Sequence, residues 1–122
     1  MGNNYKTLLW LDDVRNPYIG SWLYSFAPEY EIQNSVMWVK SYDEFTKWIT
    51  EKGLPDMIGF DHDLGIENGV ELNGYDCAKW LIEYCIDNDL TPPKWVVQSD
   101  NPVGRGNING LLLNFVRKFK TI

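Results

Sequence analysis

The stretch that decides the fold is Thr7-Leu8-Leu9-Trp10-Leu11-Asp12-Asp13, a continuous apolar run that ends in two acids. A short run of this kind is typical of a strand buried on both faces, as in a parallel sheet. Two later segments repeat the pattern. Met57-Ile58-Gly59-Phe60-Asp61 again ends in an acid, and Trp95-Val96-Val97-Gln98 is followed by Ser99-Asp100-Asn101. We therefore predict three buried strands with polar residues at their carboxyl ends.

Helical patterns lie between these strands. Ser41-Tyr42-Asp43-Glu44 has the form of a capping box and opens a helix that ends at Gly53. A second helix is predicted from about Gly74 to Asn88, and a final helix follows a loop at Ser99–Gly106. The apolar stripe of the second helix comprises Tyr75, Ala78, Leu81, Ile82, Cys85 and Ile86. With a further strand at Val36–Val39, strand and helix alternate four times, which indicates an α/β fold with a parallel sheet.

The segment 18–34 has no single interpretation. Tyr18, Trp22 and Phe26 could line one face of a short helix, which Pro28 would end. The segment 66–73 is predicted as a loop. Cys77 and Cys85 lie eight residues apart on the predicted second helix, or about 12 Å, which is too far for a disulfide. We therefore expect two buried thiols and no zinc site.

Length and composition narrow the functional classes. The chain has 122 residues and 14.2 kDa, so residues 1–122 are predicted to form one domain. A net charge of -6 argues against an extended surface for duplex DNA. Apolar runs fall short of the ~20 residues that a membrane span needs, and the N-terminus does not resemble a signal peptide. We therefore expect a cytoplasmic protein with no membrane contact.

The polar clusters after the strands would meet at one edge of a parallel sheet, beyond the strands' carboxyl ends. They are Asp12-Asp13 with Arg15 close behind, Asp61-His62-Asp63 and Ser99-Asp100-Asn101. Converging carboxylates repel one another unless a cation neutralises them, and oxygen ligands favour Mg²⁺, Ca²⁺ or Mn²⁺. A histidine among them favours Mn²⁺. The alternative is that these acids cap helices and form turns.

The last of these clusters leads into a segment suited to bind an anion. Gly104 and Gly106 would let the backbone approach a ligand, the helix N-terminus offers free N–H groups, and Arg105 can bind a phosphate through two hydrogen bonds. The alternative is a flexible turn with a solvated arginine. Metal-binding acids that face a phosphate-binding loop would together process a phosphoester or phosphoryl group.

These motifs resemble those of response-regulator receiver domains. More specifically, three segments resemble the cyclic-phosphate processing receiver domains, and the resemblance spans roughly residues 6 to 118. The segments are Trp10-Leu11-Asp12-Asp13-Val14-Arg15-Asn16-Pro17, Asp61-His62-Asp63-Leu64-Gly65 with Asn73-Gly74-Tyr75-Asp76, and Ser99-Asp100-Asn101-Pro102-Val103-Gly104. The resemblance implies a flavodoxin-like parallel sheet of about four strands with flanking helices. It also implies a role in processing cyclic phosphates of RNA ends or nucleotides.

The resemblance also implies site residues. Asp61 corresponds to the phosphoacceptor of receivers, Asp12 and Asp13 to their Mg²⁺-binding acids, and Ser99 to the Thr or Ser after the fourth strand. The chain lacks an evident fifth strand with the lysine that receivers place on the phosphoryl group. Gln98 stands where the related family often has a histidine, and it could donate a hydrogen bond to a phosphoryl oxygen. His62 and Asp63 also depart from ordinary receivers.

Three functions remain open at this point. The first is a metal-dependent phosphoesterase in which Mg²⁺ or Mn²⁺ is held by Asp12, Asp13, Asp61 and Asp63. Its catalytic residues would be Asp61, His62 and Asp63, with His62 carrying protons. Its phosphate-binding residues would be Arg15, Gln98, Ser99, Asn101, Gly104 and Arg105. The second is a non-catalytic binder of a nucleotide signal. The third is a receiver-like switch, phosphorylated at Asp61 or acting through a protein partner. A bacterial or bacteriophage origin fits any of the three functions.

Overall fold

A four-stranded parallel sheet organises the molecule. The computed structural model describes residues 6–31, 35–65, 69 and 71–120, with side chains as far as Lys118. The strands in these ranges are β1 Thr7–Leu11, β2 Ser35–Val39, β3 Met57–Phe60 and β4 Lys94–Val97, and their order is β2-β1-β3-β4. Each neighbouring pair is parallel. The predicted flavodoxin-like, receiver-like sheet is confirmed, and the strand ends differ from the predicted ones by single residues.

The helices are α1 Trp22–Phe26, α2 Tyr42–Lys52, α3 Gly74–Asn88 and α4 Pro102–Lys120, with a 3-10 turn at Pro28–Tyr30. The ambiguous segment 18–34 thus contains a short helix that ends before Pro28, and its residues 32–34 lie outside the described ranges. Within those ranges, no helix is long and apolar enough to cross a bilayer.

The start of α2 follows the predicted capping pattern. Ser41 Oγ accepts a hydrogen bond from the backbone N–H of Glu44 at 3.1 Å, and the Glu44 carboxylate accepts from the N–H of Lys40 at 2.9 Å. The first bond satisfies an N–H group that the first helical turn cannot pair internally, and the second pairs the N–H of the residue before the cap. The helix ends at Gly53, whose φ of 86° favours glycine.

The start of α4 differs from its prediction. The segment Ser99–Gly106 was expected to be a loop, but the helix already begins at Pro102. Asn101 is the reason, because its side-chain oxygen accepts from the Gly104 N–H at 3.0 Å and so caps the first turn. Proline suits the first helical position, where its missing N–H costs nothing. Gly104 and Gly106 therefore lie within a helix and not within a ligand-binding loop.

The sheet separates two apolar layers. Leu9 and Leu11 face the larger layer with α2, α3 and α4, whereas Leu8 and Trp10 face a smaller layer with α1 and the 3-10 turn. Buried members of the larger layer include Phe45, Ile49, Ile58, Phe60, Leu81, Ile108 and Leu112. The two-residue period of a strand carries Asp12 and Asp61 towards the side of the smaller layer.

Two further predictions about α3 have different outcomes. Cys77 and Cys85 are both buried and free, as expected from their spacing. Ile86 was placed on the apolar stripe of this helix, but 60% of its surface is exposed. The stripe of a helix covers a limited arc, and the contact with the sheet is already filled by Ala78, Leu81 and Cys85.

Candidate functional site

Three carboxylates converge beyond the carboxyl ends of β1 and β3. One carboxylate oxygen each from Asp12, Asp13 and Asp61 lie within 4.8 Å of one another. The strand ladder continues past the strand ends to hold them, since the Asp61 N–H donates to the Leu11 carbonyl at 2.9 Å. Asp12 is fully buried and Asp61 is only 5% exposed. The parallel pairing of β1 with β3 is what brings acids 49 residues apart in sequence together.

Asp13 and Asp61 border a cavity of about 440 Å³ at the carboxyl ends of the strands, whereas the buried Asp12 is not part of its lining. Its lining comprises Asp13, Val14, Arg15, Trp22, Asp61, Asp63, Gly65, Ser99 and Asp100. All three predicted polar clusters thus contribute to one cavity. Ser99 is 97% buried, and its Oγ accepts from the Asn101 N–H at 3.1 Å, so its hydroxyl hydrogen remains available to donate.

The loop after β1 is held rigidly from two directions. Asp12 Oδ1 accepts from the N–H groups of Val14 and Arg15, at 3.0 and 2.8 Å, which closes an Asx turn. The indole of Trp38 donates to the Asp12 carbonyl at 2.7 Å, and that of Trp10 donates to the Arg15 carbonyl at 2.9 Å. The backbone that carries Asp12 and Asp13 is therefore fixed by two strand tryptophans.

Arg15 lies among the acids. Its Nη1 is 3.3 Å from Asp12 Oδ2 and 3.6 Å from Asp61 Oδ1, and its Nη2 is 2.7 Å from Asp100 Oδ2. The guanidinium carbon lies 5.1 Å from the ring centroid of Trp22, within cation–π range. Burial opposes the charge, but the attraction and hydrogen bond of Asp12 outweigh it, and the pKa of Arg15 is raised.

Asp61 is the most perturbed carboxyl of the site. Burial, followed by repulsion from Asp12, raises its pKa from 3.8 to about 7, although Arg15 acts in the opposite direction. Burial and the neighbouring acids thus both disfavour the charged form of the Asp61 carboxyl. A divalent cation would neutralise these acids, and the donor set of three carboxylates suits Mg²⁺ or Mn²⁺.

Comparison with known proteins identifies the family of the chain. The family model described as the Cyclic-phosphate processing Receiver domain matches residues 7–114. The chain belongs to this family. No curated protein matches the chain. NtrX from Brucella abortus has a solved structure with a TM-score of 0.49 and 12% sequence identity, and the alignment covers 96% of this chain and 29% of the NtrX chain.

In this receiver domain, the residues that the resemblance assigns to the phosphoryl group come together. Asp61 and Ser99 line the same cavity as Asp13. Asp63 lines it too, but its side chain is 72% exposed, and it is absent from the group of converging carboxylates found among the described residues. The structure therefore brings together three of the four acids predicted to hold a metal.

His62 lies beside the cavity and does not belong to its lining. Its ring packs against Gly104 at the start of α4, where a side chain would overlap the imidazole. His62 Nδ1 lies 3.0 Å from Asp63 Oδ1, and the ring is largely covered, with 16% of the side chain exposed. The predicted role of His62 as a proton carrier has no contact with the converging acids to support it.

The predicted phosphate-binding residues near β4 are engaged elsewhere. Gln98 is buried and donates through Nε2 to the Leu11 carbonyl at 2.9 Å, and it does not line the cavity. The Gly104 N–H is capped by Asn101, and Arg105 Nη1 lies 3.5 Å from the Ser99 carbonyl. Of the six predicted phosphate-binding residues, the cavity lining includes Arg15 and Ser99. The others support the backbone around it.

Some residues of the site were missed in the sequence. Trp22 lines the cavity, whereas its spacing with Tyr18 and Phe26 suggested only a position on one face of a short helix. Trp10 and Trp38 read as strand core residues, and their indole N–H groups had no visible partner in the sequence. Trp10 lies two positions before Asp12 and so on the same face of the strand. Because a buried indole N–H usually finds a hydrogen-bond partner, this spacing is a signal that Trp10 contacts the loop after the strand.

Proposed function

We propose that this protein is a metal-dependent phosphoesterase that acts on a cyclic phosphate of a nucleotide or RNA end. The observation that carries the proposal is the convergence of Asp12, Asp13 and Asp61 within 4.8 Å, beside a cavity of about 440 Å³. A cavity of this size accommodates a nucleotide-sized ligand. The family's description points to the same chemistry.

Each acid has a separate role in this proposal. Asp12, held by two backbone N–H groups through Oδ1, offers Oδ2 to a cation, while Asp13 and Asp61 offer oxygens from the cavity wall. When bound, a divalent cation would polarise a phosphoryl oxygen and lower the pKa of an attacking water. Two tryptophan indoles hold the loop after β1, so the backbone that carries Asp12 and Asp13 is already in place for binding.

Two other lining residues, Ser99 and Arg15, would hold the phosphate. The Ser99 hydroxyl can donate to a phosphoryl oxygen, since its acceptor side already takes the Asn101 N–H. Arg15 supplies the positive charge among the lining residues described by the structure. Asp63 and Asp100 are exposed carboxylates at the cavity, and His62 Nδ1 lies 3.0 Å from Asp63 Oδ1.

The test is turnover followed by ³¹P NMR. The purified protein is incubated with 2′,3′-cyclic nucleotides, cyclic dinucleotides and linear phosphoesters, with Mg²⁺ or Mn²⁺ or with chelator. We expect a new phosphorus signal with one substrate class and with metal only. The variant Asp13→Asn should lose it, because Asp13 is the metal-facing acid with the least structural role.

Asp87→Asn is the matched control, since it removes an exposed carboxyl on α3 away from the cavity. It should turn over substrate like the unaltered protein. Unchanged spectra across the panel, with binding of a nucleotide still measurable by calorimetry, would favour the non-catalytic binder instead. Turnover that survives in Asp13→Asn would contradict the proposed metal site.

A receiver-like switch is the second candidate function, and the position of Asp61 favours it. Asp61 follows β3 and lines the same cavity as Ser99, as the receiver resemblance implies for a phosphoacceptor. Incubation with acetyl phosphate and Mg²⁺ should then add one phosphoryl group, detected by intact mass. Asp61→Asn should not gain that mass. Such a switch would act through a protein partner. If the unaltered protein gains no phosphoryl mass, that result counts against phosphorylation at Asp61.

A further inference from the structure

Arg15 occupies the place among the acids where a cation is needed. Its side chain is 14% exposed, and its guanidinium bridges the buried Asp12 and Asp61 on one side and Asp100 on the other. The Asp100 side chain is 97% exposed. Arg15 therefore lies on the boundary between the buried acids and solvent.

The two oxygens of Asp12 are not equivalent, and this limits where a cation can bind. Oδ1 accepts two backbone N–H bonds that close the turn after β1, so Oδ2 is the oxygen left for a ligand. Arg15 Nη1 lies 3.3 Å from that same Oδ2 and 3.6 Å from Asp61 Oδ1. A cation bound between Asp12 and Asp61 would thus need the same carboxylate oxygens that the guanidinium contacts.

We infer that Arg15 is the resident cation of the site and competes with divalent metal for Asp12 and Asp61. This inference rests on the metal site of the proposed function. Two positive groups on the same oxygens repel strongly in a partly buried site, so simultaneous occupancy is disfavoured. Metal binding then requires the guanidinium to move away from Asp12.

Contacts on the outer side show where the guanidinium is held after it moves. Asp100 accepts from Nη2 at 2.7 Å, and the Trp22 ring lies 5.1 Å from the guanidinium carbon. Both contacts lie at the cavity wall and can persist when the bond to Asp12 is lost. Arg15 Nε is buried and, among the described residues, has no hydrogen-bond partner, so that edge of the group does not resist the movement.

The consequence is an order of binding, in which the metal precedes the anion. Displaced from Asp12, the guanidinium faces the cavity with free donors, which suit a phosphate. Metal binding thereby creates the anion site, and by linkage an anion strengthens metal binding. In the absence of metal, Arg15 instead neutralises the acids and has little capacity for a phosphate.

Calorimetric titration with Mn²⁺ tests the inference. Arg15→Gln removes the competing charge and should bind Mn²⁺ at least about tenfold more tightly than the unaltered protein. Arg15→Lys keeps a positive charge and should stay close to the unaltered protein. Arg117→Gln, which removes an exposed arginine on α4, is the control and should change nothing. Circular dichroism verifies that each variant folds.

Two further readouts follow the arginine itself. The chain has three arginines, so the Nε–H NMR signal of Arg15 can be assigned by its loss in Arg15→Gln. Mg²⁺ should shift that signal and leave those of Arg105 and Arg117 in place. Inorganic phosphate should strengthen Mn²⁺ binding in the unaltered protein and should do so less in Arg15→Gln; an equal effect in the two proteins would contradict the role of Arg15.

The outcomes separate this inference from the proposed function. Equal Mn²⁺ affinity in the unaltered protein and Arg15→Gln, with both losing it in Asp13→Asn, would overturn the inference and leave the metal site standing. Absence of binding in both proteins would overturn both. Tighter binding in Arg15→Gln, together with the Arg15 NMR shift, would support the competition.

Discussion

At the scale of single residues, Asp61 combines burial with two neighbouring acids. Its folded pKa of about 7 lies above the ordinary 3.8, mainly because of burial and then because of Asp12. The folded state therefore binds this proton more tightly than the unfolded state. Stability that depends on the proton is present below about pH 4 and is lost as the pH rises through about 7.

Asp61→Asn should remove this pH dependence. In chelator, we expect the variant to gain stability over the unaltered protein as the pH rises from 4 to 8, by roughly 1–3 kcal/mol. Urea unfolding of both proteins at several pH values measures the difference, in which groups away from the acidic cluster cancel. A stability difference that does not change with pH would contradict the proposed environment of Asp61.

At the scale of elements, the start of α3 is docked directly on the site. The Gly74 N–H donates to the His62 carbonyl at 2.7 Å, and Asn73 and Asp76 form a reciprocal capping box. A side chain at position 74 would overlap the Asp61 carbonyl oxygen. The absence of a side chain at Gly74 thus lets the helix approach the backbone that carries Asp61.

Gly74→Ala should destabilise the protein by at least about 2 kcal/mol, because backbone must move to accept the methyl group. Gly110→Ala is the matched control within α4. Nothing lies within 4 Å of its added methyl, and alanine favours helix, so we expect a gain of about 0.5–1 kcal/mol. Urea midpoints measure both. Similar effects for the two variants would argue against the close approach of α3.

At the scale of the whole molecule, the sheet is covered unequally. Three long helices pack on one face, whereas α1 and the 3-10 turn cover the other with Ala27 and Tyr30. The thinner layer borders the acids, and its Trp22 reaches the cavity. The cavity thus opens on the side where the chain is least regular, and the larger layer supplies most of the buried apolar surface.

Leu81→Ala and Ile86→Ala test which arc of α3 belongs to that larger layer. Leu81 is 1% exposed, and its truncation should cost about 2–5 kcal/mol. Ile86 is 60% exposed, so its truncation should change stability by less than about 0.5 kcal/mol. Thermal or urea unfolding compares them directly. A large loss for Ile86→Ala would show that its face is covered in solution.

The strands, three of the helices and the acids at the strand ends were predictable from the sequence. These features were predictable because the position and the ends of each element depend on residues within or next to it, such as the apolar runs, the Ser41 cap and Gly53. The start of α4 was missed because Asn101-Pro102 was read as a loop, although together they form a good helix start. A resemblance in three short segments correctly named the family.

Tertiary structure alone decided which predicted residues share the site. Asp12 meets Asp61 because β1 pairs with β3, and Arg15 reaches both because two tryptophan indoles hold the intervening loop. Gln98 and Gly104 lie near Ser99 in sequence, yet the Gln98 side chain donates to the Leu11 carbonyl and the Gly104 N–H donates to the Asn101 side chain. Sequence patterns report the period and ends of elements, whereas the direction and partner of a polar side chain depend on neighbours distant in the chain.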